Sequence, residues 1–428
     1  MTAASLLLKA AQPLLPHLHR LPTPLLTLPP TMLVHLTSHP SPTPLSLLRD
    51  PLTHPLHLPL LALMVCIPVT YLLGLITHKV SWVDKPWPVY PPFFASLLFL
   101  WIALNPQSGV YGHNLPRLIL MFAMQLVWAV RLSQHAIRRG FFDLGEEDYR
   151  YTVVRRIVPK PLWSFIHLFA VAIFQPALLL ALTLPMHAVL VLPPAELSAG
   201  PLGLSVPFGW IKPLLPTSFH SAPDSTPILN LGDLFVAILA LGCVYLEYRA
   251  DNDHYAFQEA KHNAPKSVKV VKPTHTNPPN YPPAGSYPES HHPGFITTGM
   301  WRWSRHPNFA GEQLFWVTQA LFVAVAAESS KVTRSRWVGG DVWGPPLALS
   351  LLFCGSTFLT EWITQQKYPL YKEYKNLVGQ FLPQETALVY LWGTIRGTRQ
   401  ASIQKIYQPL GGRREQYGAT GTTQHRRP

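Results

Sequence analysis

Charge is scarce in this chain, and acid is scarcer than base. Of 428 residues only 13% are Asp, Glu, Lys or Arg, with 21 acids against 34 Lys and Arg, while 48% are hydrophobic. Charge this low, with a mean hydropathy of +0.14, excludes an ordinary soluble domain, and the chain is too long to be one anchor. The composition is that of a polytopic membrane protein. Cysteine is also nearly missing. Cys66, Cys243 and Cys354 each lie within an apolar run and form neither a disulfide framework nor a metal-ligand spacing, so they are expected buried and reduced. There is no GxGxxG fingerprint, which excludes a nucleotide held by a Rossmann domain. No His-x-x-x-His pair with a matching carboxylate lies in an apolar run, so no metal is expected. No Ser-centred nucleophile elbow or Cys-His arrangement stands out. The net charge of +13 raises nucleic acid as a partner. The Lys and Arg residues, however, lie in short loops beside apolar runs and form no basic domain, so membrane topology accounts for them and no nucleic acid is expected.

What is present is a series of hydrophobic runs after a Pro-rich start. Residues 1–57 are rich in Pro, Leu, His and Thr; their prolines forbid a long helix, and they read as a disordered tail, with a cleaved leader as the alternative. A span needs roughly twenty mostly apolar residues, and about seven runs approach that length. They are Leu60 to Thr77, Tyr90 to Leu104, Leu115 to Ser133, Leu162 to Leu184 with a continuation towards Leu192, Leu229 to Arg249, Asn308 to Ala327, and Trp343 to Ile363. The loops after the first, third, fifth and seventh runs hold most of the Lys and Arg, which puts the C-terminus in the cytosol and the N-terminus on the other side. The expected fold is an all-α, polytopic membrane helix bundle. Its transmembrane part covers 58–385, with a solvated cytosolic insert at 262–293 rich in Pro, His, Asn, Tyr and Lys, and 386–428 forms a basic cytosolic tail.

The most informative stretch runs from Gly299 through Trp301, Arg302, Arg305, His306, Pro307 and Asn308 to Glu312, where a basic, aromatic loop turns into a membrane-length helix. Pro307 suits the first helical turn. Arg305 and His306 before a helix N-terminus describe either a phosphate-binding mouth or the ordinary basic flank of a span. Helical spacing aligns Glu247 with Asp251, His254 and Gln258; Asn308 with Glu312 and Gln319; and Thr357 with Glu361, Thr364 and Tyr368. Trp128, Arg131 and His135 share a face of the third run. Taken singly, each is an interfacial side chain. Taken together, so many polar groups facing lipid would be costly, and they imply a buried, water-accessible pocket on the cytosolic side. Its mixed charges suit a nucleotide, with Arg305 and His306 towards phosphates and Asp251, Asn308 and Glu312 accepting from ribose hydroxyls or an amide.

Ordered blocks of sequence resemble the integral membrane family related to the C-terminal domain of steroid 5-alpha-reductase, in particular a branch with the pattern Ser-Arg-His-Pro-Asn-aromatic-x-Gly-Glu. They are Arg131 to Ser133, Gly145 to Arg150, Ala250-Asp251, Gly299 to Trp301, Ser304 to Glu312, Glu361, Lys367 to Tyr374 and Phe381 to Pro383. The resemblance covers roughly residues 60–385. It implies a seven-helix bundle that binds NADPH from the cytosol, in the endoplasmic reticulum, and reduces a conjugated carbon-carbon double bond of a sterol or other lipid. Asp251, Asn308 and Glu312 match nucleotide-contacting positions, and Tyr374 matches a family tyrosine. Arg305 and His306 match the branch rather than the steroid enzymes. The steroid enzymes' glutamate in the second span has no counterpart between Tyr90 and Leu104, which leaves Asp84 or Tyr149 as the acid. A related fold serves S-adenosylmethionine-dependent isoprenylcysteine and phospholipid methyltransferases, which carry a similar Arg-His-Pro motif; an inert lipid-binding protein is the third reading.

Overall fold

The protein is described by a computed structural model over residues 22–38, 43, 46, 54–105, 115–192, 204–205, 229–329 and 340–407. It is an all-α polytopic membrane protein. Six helices among the described residues are long and apolar enough to cross a membrane: α2 (His57–Thr77), α4 (Leu115–Arg138), α6 (Lys160–Leu190), α7 (Leu231–His262), α8 (Pro307–Ser329) and α9 (Gly340–Lys367). The second expected run forms α3 (Tyr90–Leu104), whose 15 residues are apolar but shorter than a full crossing. The remaining helices are α1 (Pro22–Ser38), α5 (Tyr149–Ile157), α10 (Tyr371–Lys375), α11 (Pro383–Ile395) and α12 (Arg399–Tyr407). Among the described residues strands are limited to two short pairs, β1 (Leu204–Ser205) parallel to β2 (Leu229–Asn230), and β3 (Val270–Val271) antiparallel to β4 (Tyr287–Pro288).

The chain divides into two compact units, Met1–Asp251 with Asn308–Leu359, and Asn252–Pro307 with Thr360–Pro428. In the first, α2, α3 and α6 pack together, and α4 packs on α3 and on the end of α6. The buried side of α4 carries Arg117, Met121, Met124, Gln125, Trp128 and Arg131, a helical repeat that fixes which face turns inward. Polar cross-links along this face tie it to other helices. Arg117 donates to both Asp233 oxygens at 2.6 and 2.8 Å, Gln125 Nε2 donates to Gln319 Oε1 at 3.3 Å, and Arg131 pairs with α7. Trp128 stacks on Phe315 and meets Trp316 edge-on at 5.0 Å. Gly311 lets α8 approach α7 closely, since a Cβ there would lie 2.5 Å from Glu247 Cγ and 3.1 Å from the Cys243 carbonyl oxygen.

Helix α6 is irregular within its length. Residues Ile166–Ile173 form a π-helical stretch that continues into an α-helical one, Phe174–Ala181. The widened turn sets His167 against Gly74 of α2, beside the ring of Tyr71.

The second unit is organised on an aromatic cluster of Tyr287, Phe295, Tyr368, Tyr371 and Tyr374 with Leu377, Val378 and Ile406. Two segments here are more ordered than their composition suggests. The 262–293 insert is tied down: Asn277 Nδ2 and the His275 ring reach the Gln366 carbonyl oxygen at 2.9 and 3.0 Å, and Gly285 N–H donates to the Lys367 carbonyl. Main-chain acceptors at a helix end leave no mark in composition, so a Pro-rich segment can be ordered by them unseen. The proposed tail from residue 386 begins as ordered helix, since α11 and α12 occupy most of 383–407. In the first unit, α1 likewise forms despite Pro29 and Pro30 within it and packs on α2. Two adjacent prolines forfeit helical hydrogen bonds locally, and this did not prevent a helix from forming on either side.

Candidate functional site

Three spans of the first unit bring their polar stripes together. Glu247 and Asp251 stand one turn apart on α7, and Arg131 of α4 donates to both, Nη2 to Glu247 Oε2 and Nη1 to Asp251 Oδ2 at 2.5 Å. Asn308, in the first turn of α8, donates from Nδ2 to Asp251 Oδ1 at 3.0 Å. The His135 ring lies 3.7 Å from the same oxygen. All of the charged members are buried, Glu247 completely. Three of their polar atoms are shielded from solvent and have no hydrogen-bond partner: Arg131 Nε, Glu247 Oε1 and Asn308 Oδ1. A group left so in an apolar interior costs stability unless something else satisfies it. Glu312, one turn beyond Asn308, accepts from Trp87 Nε1 at 3.1 Å.

Trp87 belongs to the loop between α2 and α3, and three residues earlier this loop carries Asp84. Tyr151 Oη donates to Asp84 Oδ1 at 3.2 Å, and Gln175 Nε2 donates to Tyr151 Oη at 3.4 Å. Asp84 Oδ2 is shut off from solvent and has no partner. Burial, reinforced by the nearby Asp148 carboxylate, pushes Asp84 up to about 7. The Arg150 guanidinium and the hydrogen bonds from Tyr151 and Ser81 pull the other way. Burial opposes the charged form of Asp148 as well, but a bidentate Arg150 keeps it below the usual carboxylate range. The stretch from Phe141 to Glu147 fastens this loop: Lys79 donates to the Leu144 and Gly145 carbonyls, Lys85 to those of Phe141 and Asp143, and Val80 N–H to Glu147. Tyr149, the other acid expected from sequence, is half exposed at the start of α5.

The Asp84 environment has a measurable consequence. Its value when folded lies above that of an unfolded aspartate, so its contribution to stability is fully present below the ordinary aspartate range and is lost as pH rises through about 7. Asp84→Asn is therefore expected to melt above the parent protein near pH ~8, with the gap closing towards pH ~4. Equal destabilisation at both pH values would mean that Asp84 is held as a carboxylate.

Arg305, His306 and Tyr374 lie in the second unit. Glu361 collects the nitrogen groups there: Arg305 Nε at 2.6 Å and Nη2 at 3.4 Å, the His306 Nε2 at 3.0 Å and Lys375 Nζ at 2.9 Å. Arg305 Nη1 donates to the Val378 carbonyl. The loop is stitched by Arg305 N–H to Gly379 O at 2.9 Å and His306 N–H to Gln380 O at 3.0 Å. Burial lowers the His306 ring below its ordinary value, partly offset by Glu361. An incoming phosphate would have to share these donors with Glu361. Tyr374 is almost wholly buried, and its hydroxyl donates to the Trp301 carbonyl, which makes it a brace for the loop. Sequence alone assigns no ligand role to Glu361, Lys375, Trp87 or Tyr151. Only Glu361 had a sequence signal, its helical alignment with Thr357 and Thr364.

No solved structure matches this chain. An uncharacterised protein of Schizosaccharomyces pombe is 33% identical over 313 residues, 72% of this chain and 73% of the yeast protein. The family described as protein of unknown function (DUF1295) matches residues 70–199 and 211–378. Those segments contain Asp84, Arg131, Asp251, Asn308, Glu312 and Glu361, and by this match the chain belongs to the DUF1295 family.

Proposed function

We propose that this integral membrane protein is an NADPH-dependent reductase of a conjugated carbon-carbon double bond in a sterol or other lipid, working in the endoplasmic reticulum with its C-terminus in the cytosol. The observation that carries this reading is the buried network of Arg131, Glu247, Asp251 and Asn308, which leaves one donor and two acceptors unanswered inside the membrane. The residues fit the nicotinamide-ribose end of such a cofactor. Asn308 Oδ1 and Glu247 Oε1 can accept from a carboxamide or ribose hydroxyl, with Asp251 and Glu312 beside them as further acceptors, and Arg131 Nε can donate. When bound, the reduced nicotinamide supplies a hydride to one alkene carbon. Asp84 is the proton source for the other: Tyr151 steadies Oδ1, the shielded Oδ2 carries the proton, and an acid near neutrality suits that task. The loop that holds Asp84 also holds Trp87 against Glu312.

A hydrophobic substrate has a suitable approach in the first unit. A groove of about 510 Å³ between α4 and α7 is lined by Leu126, Val130, Leu241, Val244 and Tyr245, and it reaches Arg131. Its volume lies in the range of lipid and drug-sized sites, and its wall belongs to two membrane-crossing helices.

The carboxylates of Glu247, Asp251 and Glu312 outnumber the single guanidinium of Arg131, and such an excess would also attract a sulfonium. That favours S-adenosylmethionine as the second reading. The two are separated by thermal unfolding of the detergent-purified protein with NADPH, NADH and S-adenosylmethionine in parallel. NADPH at a hundred times its Kd is expected to stabilise by about 2.7 kcal/mol, and Asn308→Ala is expected to lose most of that shift. Stabilisation by S-adenosylmethionine alone would replace the reductase reading, and no shift with any ligand would reject both.

A further inference from the structure

Helix α11 is built the wrong way round for water. Its inward side consists of Thr386, Val389 and Gly393, one small or medium residue per turn. Thr386 Oγ1 donates to the Trp303 carbonyl at 2.6 Å and accepts from Gly379 N–H at 2.8 Å, which holds this side on the second unit. The outward side carries Leu388, Leu391, Trp392 and Ile395, 56–68% exposed. These positions follow the i, i+3, i+4, i+7 spacing of a single helical stripe. A helix that buries threonine and glycine while displaying two leucines, a tryptophan and an isoleucine has its apolar face covered by something other than water.

Length and charge identify the cover. Thirteen residues make a rod of about 20 Å, too short for a hydrocarbon core of roughly 30 Å. The chain leaves its last span at Lys367 and enters α11 at Pro383, so the helix is tethered close to the membrane surface. At its C-terminal end Arg396 lies over the Trp392 ring at 4.5 Å and Arg399 over the Tyr390 ring at 3.5 Å, which gathers cations and aromatic rings at one level. From Gln380 to Tyr407 the only acid is Glu385, and its carboxylate is engaged by the N–H groups of Gln380, Phe381 and Leu382. We propose that α11 is an interfacial anchor, which seats Leu388, Leu391, Trp392 and Ile395 in the headgroup layer of the bilayer and uses Arg396 and Arg399 to bind anionic lipid there. The segment lies beyond residue 378, where the family match ends, and its role is independent of any cofactor.

The test uses the full chain in nanodiscs, in a background with Cys66, Cys243 and Cys354 replaced by serine and a single fluorophore attached through Leu391→Cys. A second preparation carries the fluorophore through Thr394→Cys, at an exposed polar position of the same helix that lies off the apolar stripe. In discs containing roughly one-third phosphatidylserine, the 391 probe is expected to be shielded from an aqueous quencher while the 394 probe is open. Arg396→Gln with Arg399→Gln is expected to lower the ratio of docked to undocked helix by roughly thirtyfold in those discs, and purely phosphatidylcholine discs should show a similar loss without mutation. Equal quenching of both probes in anionic discs overturns the proposal. So does shielding that persists unchanged in neutral discs with both arginines replaced, since charge would then play no part. Shielding in detergent accompanied by a doubled particle mass also overturns it, because a second copy of the chain would then cover the stripe.

Discussion

Arg131→Met is expected to lower the stability of the detergent-solubilised protein by about 3–5 kcal/mol, the usual consequence of removing one partner from a buried ion network. Glu247 is completely buried and Asp251 nearly so, and the arginine is the cation that both contact. Without it, two carboxylates one helical turn apart would share a low-dielectric interior with no guanidinium between them. The loss should appear as a lower thermal midpoint and as faster hydrogen exchange in α4 and α7. Adding Glu247→Gln and Asp251→Asn to the same chain should recover a substantial part of it, because neutral amides carry no unpaired charge. An unchanged midpoint for the single variant would mean that the two carboxylates are already neutral or hydrated, and the network would not be the organising feature of these spans.

Glu361→Ala should cost about 3 kcal/mol or more, concentrated in the second unit, by the same reasoning about a buried charge left alone. The Arg305 guanidinium would keep its contact with the Val378 carbonyl but lose its carboxylate partner. Lys375 is about a third exposed and can return to water, so it contributes little to the loss. The expected signature is rapid hydrogen exchange or protease cleavage in the 299–307 loop and in 371–381, which are joined through Arg305 and His306 to Gly379 and Gln380. Glu361→Gln retains an acceptor and should fall between the parent and alanine. If alanine left the exchange of both segments unchanged, the ion cluster would be incidental to the loop, and Arg305 and His306 would be available for the anion-binding role that their position before α8 first suggested.

The spans were legible because their signal is local. Runs of apolar residues, prolines in first turns and basic loops located most ends of the long helices closely, but α7 continues well past the expected Arg249 to His262, because its polar last turns leave no hydropathy signal. The one-turn spacings of Glu247 with Asp251 and of Asn308 with Glu312 were also visible, and the meeting of Asp251 with Asn308 was anticipated from them. Partners distant in sequence were not. Nothing near Glu312 announces Trp87, 225 residues away, and nothing near Arg117 announces Asp233. Arg305 reads as a free cation until Glu361 is found beside it. Asp84 reads from sequence only as an acid near the second run; its environment depends on Tyr151, Asp148 and Arg150, which come from the start of α5.

The π-helical turn in α6 makes the length of that segment, more than its composition, the inherited quantity. Apolar side chains between Ile166 and Ile173 can be exchanged for one another with modest effect, since most meet other hydrocarbon. Loss of a single residue there would restore a regular α-helix with Gln175 still turned towards Tyr151, because the widened turn already takes up one extra residue. A second loss would have no slack to absorb it and would rotate everything after it by about 100° about the axis, parting Gln175 from Tyr151 and ending the hydrogen-bonded chain on Asp84. Among related sequences this segment should therefore drift freely in identity and tolerate the loss of one residue but not of two.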